Sequence, residues 1–175
     1  MQPSHNITVR NNQLGTGMGL SVGSSVSGGV YDVTYQNNVM TETKGEWGQG
    51  AHLKTRVQYG GYVRNVAWLD NVFNVAGSPG GAIKIETGYQ SSGQCNASTC
   101  TAISDLVIRN LTLKEGSLGS LDCYPDRPCV NLTFEDIRAF AGSKWNCKNV
   151  ASISVKNVQP AGLQAACANG SSSLQ

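Results

Sequence analysis

One pattern recurs along this chain and limits its fold more than any other feature. Five short segments start on Asn or Asp, carry apolar residues at alternate positions and end on Asn or Asp; they lie at residues 6–11, 32–37, 65–70, 105–110 and 131–136. Residues 152–157 form a weaker sixth copy, and successive copies start 26, 33, 40, 26 and 21 residues apart. Alternation of this kind is the period of a strand with one buried face. A second strand-like segment follows each of the first four copies, at residues 19–23, 50–55, 81–86 and 120–123. Two or more strands per irregular repeat, with Gly or Asn at the corners, predict an all-β solenoid whose stacked coils bury one continuous core. Asn and Asp at matching corners can stack as hydrogen-bonded ladders.

A sandwich or barrel would favour hairpins, yet no Asn-Gly or Asp-Gly joins neighbouring segments. A parallel β-helix is therefore expected as a single domain over residues 1–167, with 168–175 as a disordered C-terminal tail. The chain opens directly on the strand around Ile7 and Val9 without a polar cap. A solenoid needs capping coils, so N-terminal coils are expected to be missing.

Charge narrows the function. Only 14% of the 175 residues are charged, the net charge is +2, and Lys and Arg do not cluster, which argues against nucleic acid as a partner. No apolar run reaches the ~18–20 residues of a membrane helix, and the first residues do not read as a signal peptide. Six cysteines fall after residue 90 as the close pairs Cys95/Cys100, Cys123/Cys129 and Cys147/Cys167. No His accompanies them and no C-x-x-C occurs, so no metal or cofactor is expected. Three local disulfides fit and imply an oxidising compartment, so a secreted protein, extracellular or in a cell wall, is expected. Glycosylation sequons occur at Asn6, Asn96, Asn110, Asn131 and Asn169. Asn6, Asn110 and Asn131 belong to the repeat, so Asn96 and Asn169 are the better glycan candidates.

In the segment 50–55, alternation puts His52 and Lys54 on one face and Ala51, Leu53 and Thr55 on the other. A basic pair on a strand suits an anionic ligand such as an acidic sugar; an ordinary solvated face has the same pattern. The surrounding residues decide between them. Ser4-His5-Asn6-Ile7-Thr8-Val9 leads into Gly17-Met18-Gly19-Leu20-Ser21-Val22-Gly23, then His52-Leu53-Lys54-Thr55, then Gly60-Gly61-Tyr62-Val63-Arg64-Asn65. Ile83-Lys84-Ile85 before Tyr89 and Leu121-Asp122-Cys123 through Pro128-Cys129 follow in order. Nearly the whole chain resembles the C-terminal half of a polygalacturonase, a family 28 glycoside hydrolase with a right-handed parallel β-helix.

The resemblance implies hydrolysis of α-1,4-galacturonan with inversion, which requires a carboxylic acid on the leaving oxygen and a carboxylate activating water on the opposite face. The family carries these in Asn-Thr-Asp and Asp-Asp motifs that precede its Gly-His-Gly. Here Gly17-Met18-Gly19 stands at the Gly-His-Gly place, and the sixteen residues before it contain no acid. The catalytic residues are therefore expected outside this chain, and Met18 cannot replace the family's His. Among the other acids, Asp32, Asp70, Asp105, Asp126 and Asp136 read as corner or turn residues, and Glu42 and Glu46 lie in a loop that could border a groove. Met18 groups by parity with Leu20 and Val22 as packing, unless the flanking glycines bend the strand.

Lys54 matches the family's Lys that contacts the substrate carboxylate. His52 stands where the family has Arg, which removes a permanent charge and leaves a ring that is charged only in acid. Arg56 shares Lys54's parity and can compensate, and Tyr89 matches a Tyr near the sugar cleft. The expected partner is acidic polysaccharide, with His52, Lys54, Arg56 and Tyr89 as binding residues. A non-catalytic binder of acidic polysaccharide and a rhamnogalacturonan-cleaving relative are the alternatives; a pectate-lyase-like helix lacks its calcium-binding Asp cluster. Charge pairing between coils favours Leu53 on Ile85 and Lys54 beside Glu86, not Lys84.

Overall fold

The structure, a computed structural model, describes residues 1–41, 49–74, 81–90, 95–96, 98–139 and 144–170. The first coil comprises β1 (Ser4–Arg10), β2 (Gln13–Leu14) and β3 (Leu20–Ser24). The second comprises β4 (Val30–Gln36), β5 (Val39–Thr41) and β6 (Ala51–Thr55), and the third β7 (Tyr62–Leu69), β8 (Val72–Asn74) and β9 (Ile83–Glu86). Then come β10 (Ala102–Glu115) with β11 (Gly119–Asp122), β12 (Val130–Arg138) with β13 (Asn146–Lys148), and β14 (Ile153–Gln159) before α1 (Leu163–Gly170). Every strand pair is parallel. Equivalent strands of successive coils stack, which makes the molecule a parallel β-helix.

Three surfaces enclose the core. The first sheet runs β1-β4-β7-β10-β12-β14, a narrow second row β2-β5-β8 joins it through the far end of β10, and the third runs β3-β6-β9-β11-β13. Val33, Val66, Leu106 and Leu132 form one inward row of the first sheet, and Tyr35, Trp68, Ile108 and Phe134 form the next. Across from them stand Val22, Leu53, Ile85 and Leu121. Middle coils bury these completely, while Ile7 of the first coil is 41% exposed. Each fully buried aliphatic side chain contributes roughly 1.5–3 kcal/mol of transfer free energy.

The repeat's Asn and Asp mark bends with a definite backbone cause. Asn6, Asp32, Asn65, Asp105 and Asn131 open their segments at φ of 52–56°, and Asn11, Asn37, Asp70, Asn110, Asp136 and Asn157 close theirs at 50–60°. This left-handed region penalises other L-residues, whereas a short amide or carboxylate tolerates it. The side chains also bond from coil to coil, Asn37 donating to Asn11, Asn110 to Asp70, Asn131 to Asp105 and Asn157 to Asp136 at 2.7–3.1 Å. Asp32, Asp70, Asp105 and Asp136 are thus corner residues, and the amides of Asn110 and Asn131 serve the ladder. A second ladder lies inside the wall, where Asn12, Asn38 and Asn71 each follow a closing residue; Asn38 is fully buried. In the fourth coil Leu111 takes this place, and β10 runs straight through the corner.

Three disulfides join Cys95–Cys100, Cys123–Cys129 and Cys147–Cys167. The last one corrects the reading of the tail. Residues up to Gly170 are not a frayed terminus but a helix, with Leu163 and Cys167 buried against the final coils and the bridge to β13 holding it. The eight-residue segment is too short for its periodicity to stand out, and tertiary packing, not propensity, holds it.

Candidate functional site

The outward face of the third sheet carries two rows set by register. One is Ser21–His52–Lys84–Ser120–Asn146; the other is Gly23–Lys54–Glu86–Asp122–Lys148. Leu53 stacks on Ile85 and Lys54 stands beside Glu86, as charge pairing predicted. Glu86 nevertheless turns to the other row, taking Lys84 at 3.0 Å and His52 Nε2 at 3.3 Å.

His52 is not on an accessible face. It lies on the outward side of β6 yet is fully buried, with Nδ1 3.3 Å from the Met18 carbonyl and 3.4 Å from the Ser21 hydroxyl. The cause is the Gly17-Met18-Gly19 turn, which folds over the ring. At Gly19, φ is +73°, and a Cβ would sit 2.1 Å from the Gln49 carbonyl oxygen, so only glycine fits. That bend also keeps Met18 out of the core row of Leu20 and Val22; its side chain is 38% exposed and the Ser21 hydroxyl bonds its carbonyl. His52 therefore ties three coils together and does not itself face a ligand.

Lys54 and Arg56 remain. Lys54 Nζ lies 4.6 Å from the Tyr89 ring centroid and the Arg56 guanidinium carbon 5.7 Å from it. The Tyr89 N–H donates to the Thr55 carbonyl at 2.9 Å, fixing the ring against the end of β6. Arg56 donates to Gln90 Oε1 at 2.6 Å. The side chains of Lys54, Arg56 and Tyr89 are all half-buried. Cation–π contact of this kind contributes about 0.5–1 kcal/mol at an exposed site and leaves the ammonium's outer side for an anion. The sequence brought Lys54, Arg56 and Tyr89 to one place, but misjudged His52 because covering by a distant turn leaves no local signal. Gln90, which is exposed, was missed because its bond to Arg56 joins residues 34 apart that only coil stacking brings together. Glu42 and Glu46 lie outside the described residues.

Burial pushes the Glu86 carboxyl up, but hydrogen bonds from His52 and Lys84, with the Lys84 charge, hold it below its ordinary 4.5. Hydrogen bonds from Asn110 and Gln36 lower Asp70, and those from Ser104 and Asn131 lower Asp105. A carboxyl with a lowered folded pKa stabilises the fold fully above its unfolded value, and that stability is lost as pH falls through the folded one. Urea midpoints should therefore decrease as pH falls from about 5 to about 3, and decrease less in Glu86→Gln. A midpoint equally acid-sensitive in Glu86→Gln would contradict the network's role.

Residues 1–161 match the family described as glycosyl hydrolases family 28. The chain is 27% identical over 147 residues to an endo-polygalacturonase of Pectobacterium carotovorum subsp. carotovorum, and 26% identical over the same length to one of Pectobacterium parmentieri. These alignments cover 84% of this chain and 34% of each relative. An exopolygalacturonase of Rhizopus delemar, rpg16, is 29% identical over 82% of the chain and 39% of its own length. The chain thus spans about a third of the length of these curated relatives. No solved structure matches it. A family match over nearly all residues, on a parallel β-helix carrying the expected strand order, identifies the chain as belonging to the glycosyl hydrolases of family 28.

Proposed function

We propose that this chain is the substrate-gripping part of a polygalacturonase-like enzyme, which hydrolyses α-1,4 bonds of pectin with inversion. Lys54 and Arg56 take the carboxylate of a galacturonate, and Tyr89 forms the wall beside it. The observation that carries this reading is the convergence of two cations on the Tyr89 ring at the rim of one sheet. An ammonium on a flexible stem and a guanidinium fork suit a sugar carboxylate in different ways, the first as a movable charge and the second as a planar clamp. Family membership and the names of the relatives support the substrate class.

The bond-breaking carboxylates are proposed to lie outside this chain. Glu86 is held by His52 and Lys84, Glu135 by Arg109 and Lys156, and four aspartates serve the corners. Inversion needs two carboxyls about 6.5–9.5 Å apart on opposite faces of a sugar. The three disulfides fit a secreted protein, and Asn96 and Asn169, both exposed, are the proposed glycan sites.

Polygalacturonate binding by calorimetry tests the grip. Lys54→Ala should weaken it by about ten-fold, the equivalent of one charge-assisted hydrogen bond. Unchanged affinity would refute the assignment. The 175-residue chain should release no new reducing ends from polygalacturonate; turnover would contradict the placement of the acids and would also remove the non-catalytic binder as an alternative.

A further inference from the structure

The lower outward row holds more than Lys54. Along it the charges read cation at Lys54, neutralised carboxylate at Glu86, carboxylate at Asp122 and cation at Lys148. Asp122 is exposed, and among the described residues no ion pair or side-chain hydrogen bond is formed by its carboxylate. Its own carbonyl accepts Thr87, which fixes the backbone and leaves the side chain directed from the outward face. Next to it lies a cavity of about 250 Å³ lined by Thr87, Gly88, Asp122, Tyr124, Pro125 and Asn149, together with Cys123. Drug-sized pockets hold roughly 300–1,000 Å³, so this one has the scale of a single sugar ring.

The cavity is a built feature. Tyr124 packs on the small cluster of Val57, Cys95 and Cys100, and the Asn149 amide donates to the Cys123 carbonyl at 2.7 Å. Coils rise about 4.8 Å each, so Asp122 follows Lys54 by about 10 Å along the helix axis. A glycan held at Lys54 and running along this face passes Asp122 a few ångströms away. A free uronate there meets a like charge. Two unit charges about 5 Å apart in water repel by an amount equal to about a four-fold change in binding, and more where water is displaced.

From this pattern, and resting on the proposed grip at Lys54, we infer that the Asp122 cavity is a specificity subsite for an uncharged ring. In a galacturonan chain that ring is a methyl-esterified residue. Lys54 and Arg56 demand a free carboxylate; Asp122, beside Tyr124 and Asn149, rejects one. The chain is selective for partly esterified galacturonan, and Lys148 offers a cation again one coil further on.

Binding of the 175-residue chain to three galacturonans of equal length, unesterified, partly esterified and fully esterified, tests this at low ionic strength. The partly esterified polymer should bind tightest. Asp122→Asn should shift the ratio of unesterified to partly esterified affinity by about four-fold toward the unesterified polymer. In the unaltered chain, raising salt should compress the preference for partial over no esterification, because the repulsion is screened. Lys54→Ala should instead remove the advantage of both carboxylate-bearing polymers over the fully esterified one. A ratio unmoved by Asp122→Asn, or an unaltered chain that ranks the unesterified polymer first, overturns the Asp122 subsite while leaving the Lys54 grip standing. Three equal affinities that ignore Lys54→Ala overturn both.

Discussion

Trp68→Ala should destabilise the fold by about 3–5 kcal/mol, the range for emptying a buried aromatic site. Trp68 is fully buried in the inward row of β7, its ring stacked on Tyr35 with centroids 5.6 Å apart. Its indole N–H donates to the Leu20 carbonyl at 2.9 Å, joining the first sheet to the third across the core. Alanine removes the ring, leaves a void between two coils and deletes the hydrogen bond to that carbonyl. Against a total of about 5–15 kcal/mol for a domain, the loss decides whether the chain is folded at physiological temperature. Urea unfolding followed by circular dichroism reads it as a drop in midpoint with little change in slope. Trp68→Phe should keep the stack, lose the hydrogen bond and fall between. A Trp68→Ala midpoint within experimental error of the unaltered chain would contradict the packing account.

Asn38→Leu should cost nearly as much, about 2–4 kcal/mol, although leucine is larger and apolar. The Asn38 amide donates to the Val9 carbonyl and to Asn71 Oδ1, both at 3.1 Å. Its oxygen accepts from the Asn12 backbone N–H at 3.1 Å and from the Asn12 amide at 2.9 Å. Leucine abolishes all four bonds, and partners inside the wall lose access to water as well. The same change at the exposed corner residue Asn37, which donates to Asn11 at 2.8 Å, should cost less, about 1–2 kcal/mol from leucine at φ 54°, because solvent replaces the bond itself. Equal midpoints for the two variants would show that the inner ladder carries no special weight.

This pair also shows where the sequence was readable. Alternation and paired Asn or Asp residues disclosed the coils, since period-two burial and left-handed corners leave local marks. Yet the buried ladder sits one residue after each closing corner, at Asn12, Asn38 and Asn71, and the pattern did not distinguish an amide facing inward from one facing water. The short strands of the second row were hidden likewise, two or three residues being too few for a period. At the site, register and charge pairing correctly set Lys54 beside Glu86. They did not foresee that Glu86 would reach diagonally to His52, because the burial that makes that partner favourable comes from a turn 34 residues away. Asp122 appeared only as part of a family motif; its isolation within a charged row is a property of stacking, not of neighbours in sequence.

The central claim is that Lys54, Arg56 and Tyr89 together hold the carboxylate of an acidic sugar. Its most direct test is a nuclear magnetic resonance titration of the 175-residue chain with a short galacturonate oligomer, following lysine, arginine and aromatic side-chain signals. The shifts should concentrate at Lys54, Arg56 and Tyr89, with those of Arg64, Arg109 and Lys156 on the first sheet staying put. Shifts centred on the first sheet, or saturation with Lys54 and Tyr89 unmoved, would contradict it.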